Sequence, residues 1–358
     1  MRVFKFLLFS IIVLACSSAE NVTPEPNISN ESLYFPPINS NDWQTVSTTD
    51  LGWDETAKQD LISYLNATNT DSFIILYNGR IAMENYFNDT DQFSNSPWFS
   101  AGKTLTAFML GIAEQDGFLS LDDSSADYLG DGWSSLTSQQ ETDIKVINHV
   151  TMTTGLDYTN DPFCTDTECL TFRDTPNSFW YYHNAPYTIT QSIISSAVGN
   201  DFNSYFEEKL KTKIGMNGAW IPMGYNKFYF SDARSMARFG LLCLNDGKWN
   251  DEQLLNESYF NAMTATSQNL NPSYGYLWWL NGKSAFRLPN SENLFQGSLI
   301  PNAPEDTIAA LGANDKKLYV VPSQKLVVIR LGGNANEGLL GPSSYDNDLW
   351  GKIMAMLN

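Results

Sequence analysis

Trp98-Phe99-Ser100-Ala101-Gly102-Lys103-Thr104 is the stretch around which we interpret this 358-residue chain, and an apolar run at 105–112 follows it. The spacing of Ser100 and Lys103 predicts that both side chains lie on one face of a helix, because residues three apart in a helix are neighbours. A serine hydroxyl is a weak nucleophile until a base accepts its proton, and a lysine that burial keeps from ionising can be that base. The start of such a helix also directs backbone N–H groups and the positive end of its dipole towards a developing oxyanion.

The alternative is that Ser100 is an ordinary helix N-cap, since serine is common there. Two observations favour a catalytic role for Ser100 and Lys103. Lys103 is the only lysine of the chain with a serine three residues earlier. It also lies among apolar residues, where a lysine without a function is rare. A phosphate-binding loop is disfavoured, because the residue that must be glycine in that motif is Pro97.

The composition is that of a folded, acidic protein. Hydrophobic residues make up 42% of the chain and charged residues 17%, and the formal net charge is −19. This charge argues against nucleic acid or an anionic membrane surface as a partner, because phosphate binding needs clustered Lys and Arg. Small neutral or cationic substrates stay open, and the acidity also fits solubility in a salty medium. The oligomeric state has no signal in the sequence.

Residues 1–16 are predicted to be a signal peptide, with a short apolar core that ends in Val13-Leu14-Ala15-Cys16. That ending resembles a bacterial lipobox, so Cys16 is a candidate for lipidation and residues 17–40 for a flexible tether. The protein would then be exported to the cell envelope, in the periplasm or as an outer-membrane lipoprotein, and would touch a membrane through a lipid anchor only. The alternative is plain secretion with Cys16 removed.

Of the other cysteines, Cys164 and Cys169 lie five residues apart in a polar stretch. In an oxidising compartment a local disulfide is favoured over a metal site, because no histidine nearby completes a ligand set. Cys243 is expected to be a small buried hydrophobic residue.

The apolar patterns place strands at both ends of the chain and helices between them. Two β-rich runs around Asn78-Gly79 predict a hairpin, and further strands are expected at 307–311, 317–321 and 325–331. Residues 119–246 have helical patterns and no convincing hairpin. We therefore predict an α/β (α+β) fold in which helices flank an antiparallel sheet built from both ends of the chain, with a mostly helical insertion. The hydrolase domain would span 41–358, with its sheet part at 41–118 and 247–358 and its insertion at 119–246.

Several motifs, taken together, resemble the serine beta-lactamase and penicillin-binding-protein superfamily. The resemblance is greatest to the class C-type branch of esterases, 6-aminohexanoate-dimer hydrolase-like amidases and D-aminopeptidases. It extends from about residue 51 to the C-terminus, and the motifs occur in the order typical of the family. They are Ser100-Ala-Gly-Lys103, Gly117-Phe-Leu-Ser-Leu-Asp-Asp, His149-Val-Thr-Met-Thr-Thr-Gly155, Tyr182-His-Asn184, Asp232-Ala-Arg-Ser-Met-Ala-Arg-Phe-Gly and Tyr274-Gly-Tyr-Leu-Trp-Trp.

The resemblance implies a role for each matching residue. Ser100 would be the acylated nucleophile, Lys103 its base, and Tyr182 a second proton carrier between the nucleophile and the leaving group. Asn184 would hold Lys103 and a substrate carbonyl. The oxyanion hole would be formed by the backbone N–H groups of Ser100 and of Ala313 in Ala310-Leu311-Gly312-Ala313, where Gly312 allows close approach.

One residue departs from the family pattern. Beta-lactamases and penicillin-binding proteins of this type have Lys or His at the start of the third motif, where this chain has Ala310. The missing charge argues against penicillin or cephalosporin hydrolysis and favours neutral esters, amides or peptide-like substrates. Lys316 and Lys317 follow closely, but their hairpin position predicts that they face solvent.

The sequence thus predicts an exported serine hydrolase that works through an acyl-enzyme, with no metal or organic cofactor. A Ser-His-Asp hydrolase is disfavoured, because His149 and His183 are the only histidines and no Gly-x-Ser-x-Gly motif is present. The alternatives are a penicillin-binding D,D-peptidase or beta-lactamase and, from another class, a non-catalytic binding protein on the same fold.

Overall fold

The computed structural model describes residues 32–335 and 341–357. Its α-helices are α1 (Glu55–Ala67), α2 (Lys103–Gln115), α3 (Ala126–Leu129), α4 (Ser138–Asp143), α5 (Val146–Val150), α6 (Asn184–Val198), α7 (Phe202–Phe206), α8 (Ala233–Leu244), α9 (Glu257–Met263) and α10 (Ser344–Leu357). Its strands are β1 (Thr70–Tyr77), β2 (Arg80–Tyr86), β3 (Ser96–Pro97), β4 (Ala219–Met223), β5 (Asn226–Ser231), β6 (Lys248–Trp249), β7 (Glu252–Gln253), β8 (Trp279–Leu280), β9 (Ala285–Phe286), β10 (Phe295–Gln296), β11 (Ile308–Gly312), β12 (Lys316–Val321) and β13 (Leu326–Gly332).

The main sheet has six antiparallel strands in the order β2-β1-β13-β12-β11-β8. The early strand β1 therefore pairs with β2 on one side and, on the other, with β13 from the last quarter of the chain. The residues in β1, β12 and β13 are largely apolar and buried, as expected for a sheet covered on both faces. The predicted fold class, an antiparallel sheet flanked by helices and built from both ends of the chain, is confirmed.

The helices α8 and α10 cover opposite faces of this sheet. Gly240 of α8 packs so closely on Val327 and Leu318 that a Cβ at this position would overlap both side chains. On the other face, the ring of Trp350 in α10 meets that of Tyr319 edge to face at 5.5 Å. Adjacent residues of a strand point to opposite faces, so the neighbours Leu318 and Tyr319 place one helix on each side.

The predicted hairpin around Asn78-Gly79 is present, with positive φ angles of 48° and 82° at these residues. Such angles belong to the tight turns that suit the twist of paired strands, and glycine and asparagine adopt them at low cost.

The expectation of no hairpin within 119–246 was wrong. Strands β4 and β5 form a hairpin, and β5 also pairs with β3, the two residues that lead into the 99–102 turn. Here Gly224 supplies the turn, and the aromatic run Phe228-Tyr229-Phe230 supplies a strand that alternates between two faces. The boundaries of the insertion at 119 and 246 stay a prediction.

The folded part begins before the predicted boundary at residue 41. Arg238 donates hydrogen bonds to the carbonyl oxygens of Pro37 and Ser40, and the ring of Phe35 packs against Trp249. Cys16 and the predicted signal peptide lie outside the described residues. Within the residues that are described, no helix has both the length and the apolar character needed to cross a membrane.

Candidate active site

The turn that carries Ser100 is a 3-10 helix, Phe99–Gly102, which comes immediately before α2. Trp98 fixes its start: the backbone N–H donates to the Tyr229 carbonyl, and the buried indole Nε1 donates to Ser231 Oγ, both at 2.8 Å. The next residue, Phe99, has a φ of +48°, a conformation that costs free energy for a bulky side chain. This strained backbone presents Ser100, which is partly exposed, at the surface of a buried segment.

Lys103 is the first residue of α2, and its side chain is almost completely buried at 1% exposure. Its Nζ lies 3.4 Å from Ser100 Oγ and 2.8 Å from Asn184 Oδ1. Burial lowers the pKa of Lys103 to about 7, because the apolar surroundings disfavour the ammonium form. A substantial fraction of this amine is therefore neutral near pH 7 and able to accept a proton.

Tyr182 lies in the segment that precedes α6, and Asn184 is the first residue of that helix. The Tyr182 side chain is buried and has a hydrogen-bonding interaction with Ser100, while burial raises the pKa of its hydroxyl. Its ring stacks on Trp279 at 5.8 Å, which fixes the direction of the hydroxyl. The structure thus brings Ser100, Lys103, Tyr182 and Asn184 together from two segments of the chain about 80 residues apart.

The end of β11 packs directly against the 99–102 turn at Gly312. A Cβ on Gly312 would overlap the Trp98 carbonyl oxygen and would lie 3.1 Å from the Ala101 backbone nitrogen. Only glycine allows this approach, which sets the strand end beside the residues that flank Ser100. Ala313 follows in the turn between β11 and β12 and is partly exposed, while Ala310 is buried. The role of the Ala313 N–H as an oxyanion donor stays a prediction.

The expectation that Lys316 and Lys317 face solvent was wrong, because both side chains are buried. Lys317 forms ion pairs with Asp315 at 3.2 Å and Asp346 at 2.9 Å. Lys316 donates to Ser96 Oγ at 2.8 Å and to the Gly332 carbonyl, and burial lowers its pKa to about 8. The start of β12 is therefore buried on both faces. The segment before Ser100 covers Lys316, and α10 covers Lys317.

Neither histidine has a catalytic partner of the Ser-His-Asp type. The His149 ring lies between Ser125 Oγ and the Pro186 carbonyl, both at 2.9 Å, and burial lowers its pKa to about 4. His183 is also buried, and desolvation lowers its pKa to about 3. Both rings are thus neutral near pH 7. Among the described residues, no group of three or more His, Cys, Asp or Glu side chains is arranged to hold a metal ion.

The loop between α5 and α6 is held by a disulfide and by contacts with two other segments. A disulfide joins Cys164 and Cys169, whose Cα atoms are 5.9 Å apart. The Tyr225 hydroxyl at the tip of the β4–β5 hairpin donates to Asp166 within the same loop, at 2.7 Å. Arg173 pairs with Glu292 at 2.7 Å, which links the loop to the segment between β9 and β10.

Five aromatic residues lie in or next to the sequence motifs, and four of them pack in the core. Only Tyr181 is partly exposed, and its ring stacks on that of Tyr158 with 3.3 Å between centroids. The four buried side chains are Trp98, Trp180, Trp278 and Trp279.

The β4–β5 hairpin is the part of the site that the sequence analysis missed. The ring of Phe228 meets Phe99 edge to face at 5.3 Å, directly beside Ser100, and two residues earlier Asn226 accepts a hydrogen bond from Thr188 of α6. The strand β5 therefore runs from the Asn184 helix to the Ser100 turn. The signal for it was the run of three aromatic residues, Phe228-Tyr229-Phe230, which favours a strand, shortly after the turn residue Gly224.

The beta-lactamase family model matches residues 59–331, which is more than half of the chain. The chain has no match among curated protein sequences. Among solved structures, it is similar to a candidate 6-aminohexanoate-dimer hydrolase from Bacillus anthracis, with a TM-score of 0.68, 18% identity, and coverage of 91% of this chain and 90% of that one.

It is also similar to a candidate beta-lactamase from Bacteroides dorei, with a TM-score of 0.68, 15% identity, and coverage of 86% and 99% of the two chains. A penicillin-binding protein from Bacillus halodurans aligns with a TM-score of 0.60, 13% identity, and coverage of 82% and 98%. At these identities the structures show a shared fold. The family match places the chain in the beta-lactamase family, a family of serine hydrolases.

Proposed function

We propose that this protein is a serine hydrolase of the esterase or amidase type that works through an acyl-enzyme. The observation that carries the proposal is the position of the Lys103 amine, 3.4 Å from Ser100 Oγ in a site that lowers its pKa to about 7. In the proposed reaction Lys103 takes the Ser100 proton as Oγ attacks a carbonyl carbon. Tyr182 passes a proton to the departing alcohol or amine, and water then releases the acyl group.

We propose a neutral, apolar substrate. Ala310 supplies no positive charge for a substrate carboxylate, and the outer face of the β3-β5-β4 sheet beside Phe99 is apolar. Ile221 pairs with Phe228 on this face, and the exposed fractions of Ile221 and Met223 are 42% and 47%. This apolar sheet face consists of Pro97, Ala219, Ile221, Met223, Phe228 and Phe230, and its one polar member, Asn226, is buried where it accepts a hydrogen bond from Thr188. An apolar acyl chain bound to Ser100 would lose water-exposed surface by lying on it.

The proposal is tested by labelling the purified protein with a fluorophosphonate probe and mapping the modified peptide. We expect the adduct on Ser100, turnover of p-nitrophenyl esters, and no adduct or turnover in the Ser100→Ala variant. The matched control is Ser94→Ala, which removes a hydroxyl from the same segment that bonds to Asp91 in its own turn, and this variant should still be labelled. An unchanged rate of ester turnover in Ser100→Ala would refute the mechanism.

The alternatives are a penicillin-binding D,D-peptidase or a beta-lactamase, which would use the same side chains. Nitrocefin and D-amino acid amides in the same assay separate them, and we expect little nitrocefin hydrolysis. Efficient hydrolysis would show that Ala310 does not prevent beta-lactam binding. A non-catalytic binding protein would bind substrate analogues without forming the Ser100 adduct.

We also propose export to the bacterial cell envelope with a lipid anchor at Cys16, on the strength of the lipobox sequence. Metabolic labelling with a palmitate analogue should tag the wild-type protein and leave Cys16→Ser unlabelled. A soluble, unlabelled wild-type product would refute the anchor and favour secretion.

A further inference from the structure

Side chains from one face of α2 meet side chains from one face of α6 along a row of contacts. From the turn and helix α2 the row contains Ser100, Lys103 and Thr106, each three residues apart, and from α6 it contains Asn184, Tyr187 and Gln191. Residues at such spacings lie one above the other on a helix face. Three of these six residues have a proposed role in the reaction, and the other three have none.

Tyr187 is held in this row by the two polar residues beyond it. Its hydroxyl has a hydrogen-bonding interaction with Thr106, and Gln191 Nε2 donates to Thr106 Oγ1 at 3.3 Å. Tyr187 is only 2% exposed, so its ring has little freedom to move. These contacts hold the Tyr187 ring in place against the end of the Lys103 side chain.

The Lys103 amine lies 4.0 Å from the centre of the Tyr187 ring. An ammonium group has three N–H donors, and two partners here are Ser100 Oγ and Asn184 Oδ1. No carboxylate among the described residues forms an ion pair with Lys103. The ring face, which carries negative potential, is therefore the closest group that can offset the positive charge from the remaining side.

We propose that Tyr187 is a positioning residue whose ring face stabilises the Lys103 ammonium that forms when Ser100 is acylated. The inference depends on the proposed function. In that step the Ser100 O–H bond breaks, an N–H bond forms on Lys103, and Oγ bonds to the substrate carbon as the carbonyl oxygen takes the negative charge. The ammonium then loses its proton towards the leaving group through Tyr182.

Two aromatic rings face the Lys103 amine: the centre of the Tyr187 ring lies 4.0 Å away and that of the Tyr182 ring 5.2 Å away, so Tyr187 makes the closer contact. From the segments packed against Lys103, the titratable side chains are Tyr182, Tyr187 and, behind them, Tyr274, and burial raises the pKa of all three hydroxyls. The nearby His149 and His183 are neutral near pH 7 for the reason given above. Burial disfavours the Lys103 ammonium, and a cation–π contact in a desolvated site offsets part of that cost.

The test compares Tyr187→Phe with Tyr187→Leu in the full-length protein. We would measure the pH dependence of kcat/KM for a p-nitrophenyl ester and of the rate of fluorophosphonate labelling at Ser100. Tyr187→Phe keeps the ring, so the acidic limb of its pH profile, which reports the protonation of Lys103, should coincide with that of the wild type. Tyr187→Leu removes the ring, so the limb should move to lower pH by about one unit, because the ammonium loses a stabilising contact.

A merely structural role of Tyr187 would lower activity in both variants without moving the limb. If Tyr187→Leu does not fold, judged by circular dichroism and thermal melting, Thr106→Val takes its place. This variant frees the ring and should move the limb in the same direction by less. An unmoved limb in a folded variant would overturn the inference while leaving the proposed function intact, whereas a wild-type protein without label or turnover would overturn both.

Discussion

The Nζ atom of Lys103 lies 2.8 Å from Oδ1 of Asn184, a residue 81 positions later in the chain. An amide oxygen accepts a hydrogen bond from either an amine or an ammonium and adds no net charge. A carboxylate in its place would lock the lysine in the ammonium form. Because Asn184 is neutral, burial is the main factor that sets the pKa of Lys103. A single substitution that places a charge at position 184 should therefore change this pKa.

The Asn184→Asp variant should raise the pKa of Lys103, because an opposite charge would lie within hydrogen-bonding distance of the amine. We expect the acidic limb of kcat/KM for a neutral ester to move to higher pH by about 1–3 units. In the control Asn184→Ala, activity should fall without a move of the limb to higher pH. A limb in Asn184→Asp at or below the wild-type position would contradict the assignment of Lys103 as the base.

The Lys103→Met variant should be inactive yet more stable than the wild type at pH 7. Burial lowers the pKa of Lys103 from its ordinary 10.5 to about 7, so the unfolded chain binds more protons than the folded one between these values. The wild type therefore gains stability as the pH rises from 7 to 10.5, and the buried amine costs most below this window. We expect the free energy of unfolding at pH 7 to rise by about 1–2 kcal/mol, after the loss of the Asn184 hydrogen bond.

Urea unfolding at pH 7 and pH 10 measures this difference. The advantage of Lys103→Met should shrink at the higher pH. The control is Lys227→Met, an exposed substitution that should change stability little at either pH. A variant less stable than the wild type at pH 7 would show that the Lys103 contacts outweigh its desolvation.

The Gly312→Ala variant should lose activity, because its Cβ would push β11 away from the turn that carries Ser100. Loss of one oxyanion donor typically lowers kcat by about 100- to 1000-fold, and we expect a decrease of that size. The control is Gly333→Ala, where the nearest atom lies 3.4 Å from the added Cβ. Near-normal turnover of a p-nitrophenyl ester by Gly312→Ala would exclude this strand end from the oxyanion site.

The double variant Ile221→Asn, Met223→Gln should lower the preference for long acyl chains. Each methylene removed from water contributes about 0.8 kcal/mol, so a few methylenes on this face correspond to roughly tenfold or more in kcat/KM. We expect the ratio of p-nitrophenyl octanoate to acetate turnover to fall at least that much, with acetate turnover little changed. In the control Phe118→Ser, an exposed apolar residue beyond the far end of α2 is replaced, and the ratio should hold. An equal fall for both esters would argue against chain binding on this face.

Local patterns predicted much of the fold. The hairpin at Asn78-Gly79 and the strands near the C-terminus both have signals within a few residues, because turn chemistry and hydrophobic periodicity are local properties. Helix boundaries were less well predicted. The helix expected from Ser100 begins instead at Lys103, and Ser100 lies in a 3-10 turn held by Trp98 and β5, a contact with a segment more than 130 residues away.

The sequence by itself determined which chemical groups the site contains, because the Ser-x-x-Lys and Tyr-x-Asn spacings are set along a few residues of chain. Only the tertiary structure decided the environment of those groups. Lys316 and Lys317 have the sequence of an exposed hairpin and are buried, and Tyr187 meets Lys103 only because α6 packs against α2. The burial and the charge state of a side chain depend on which distant segments cover it, so the residues next to it in sequence do not predict them.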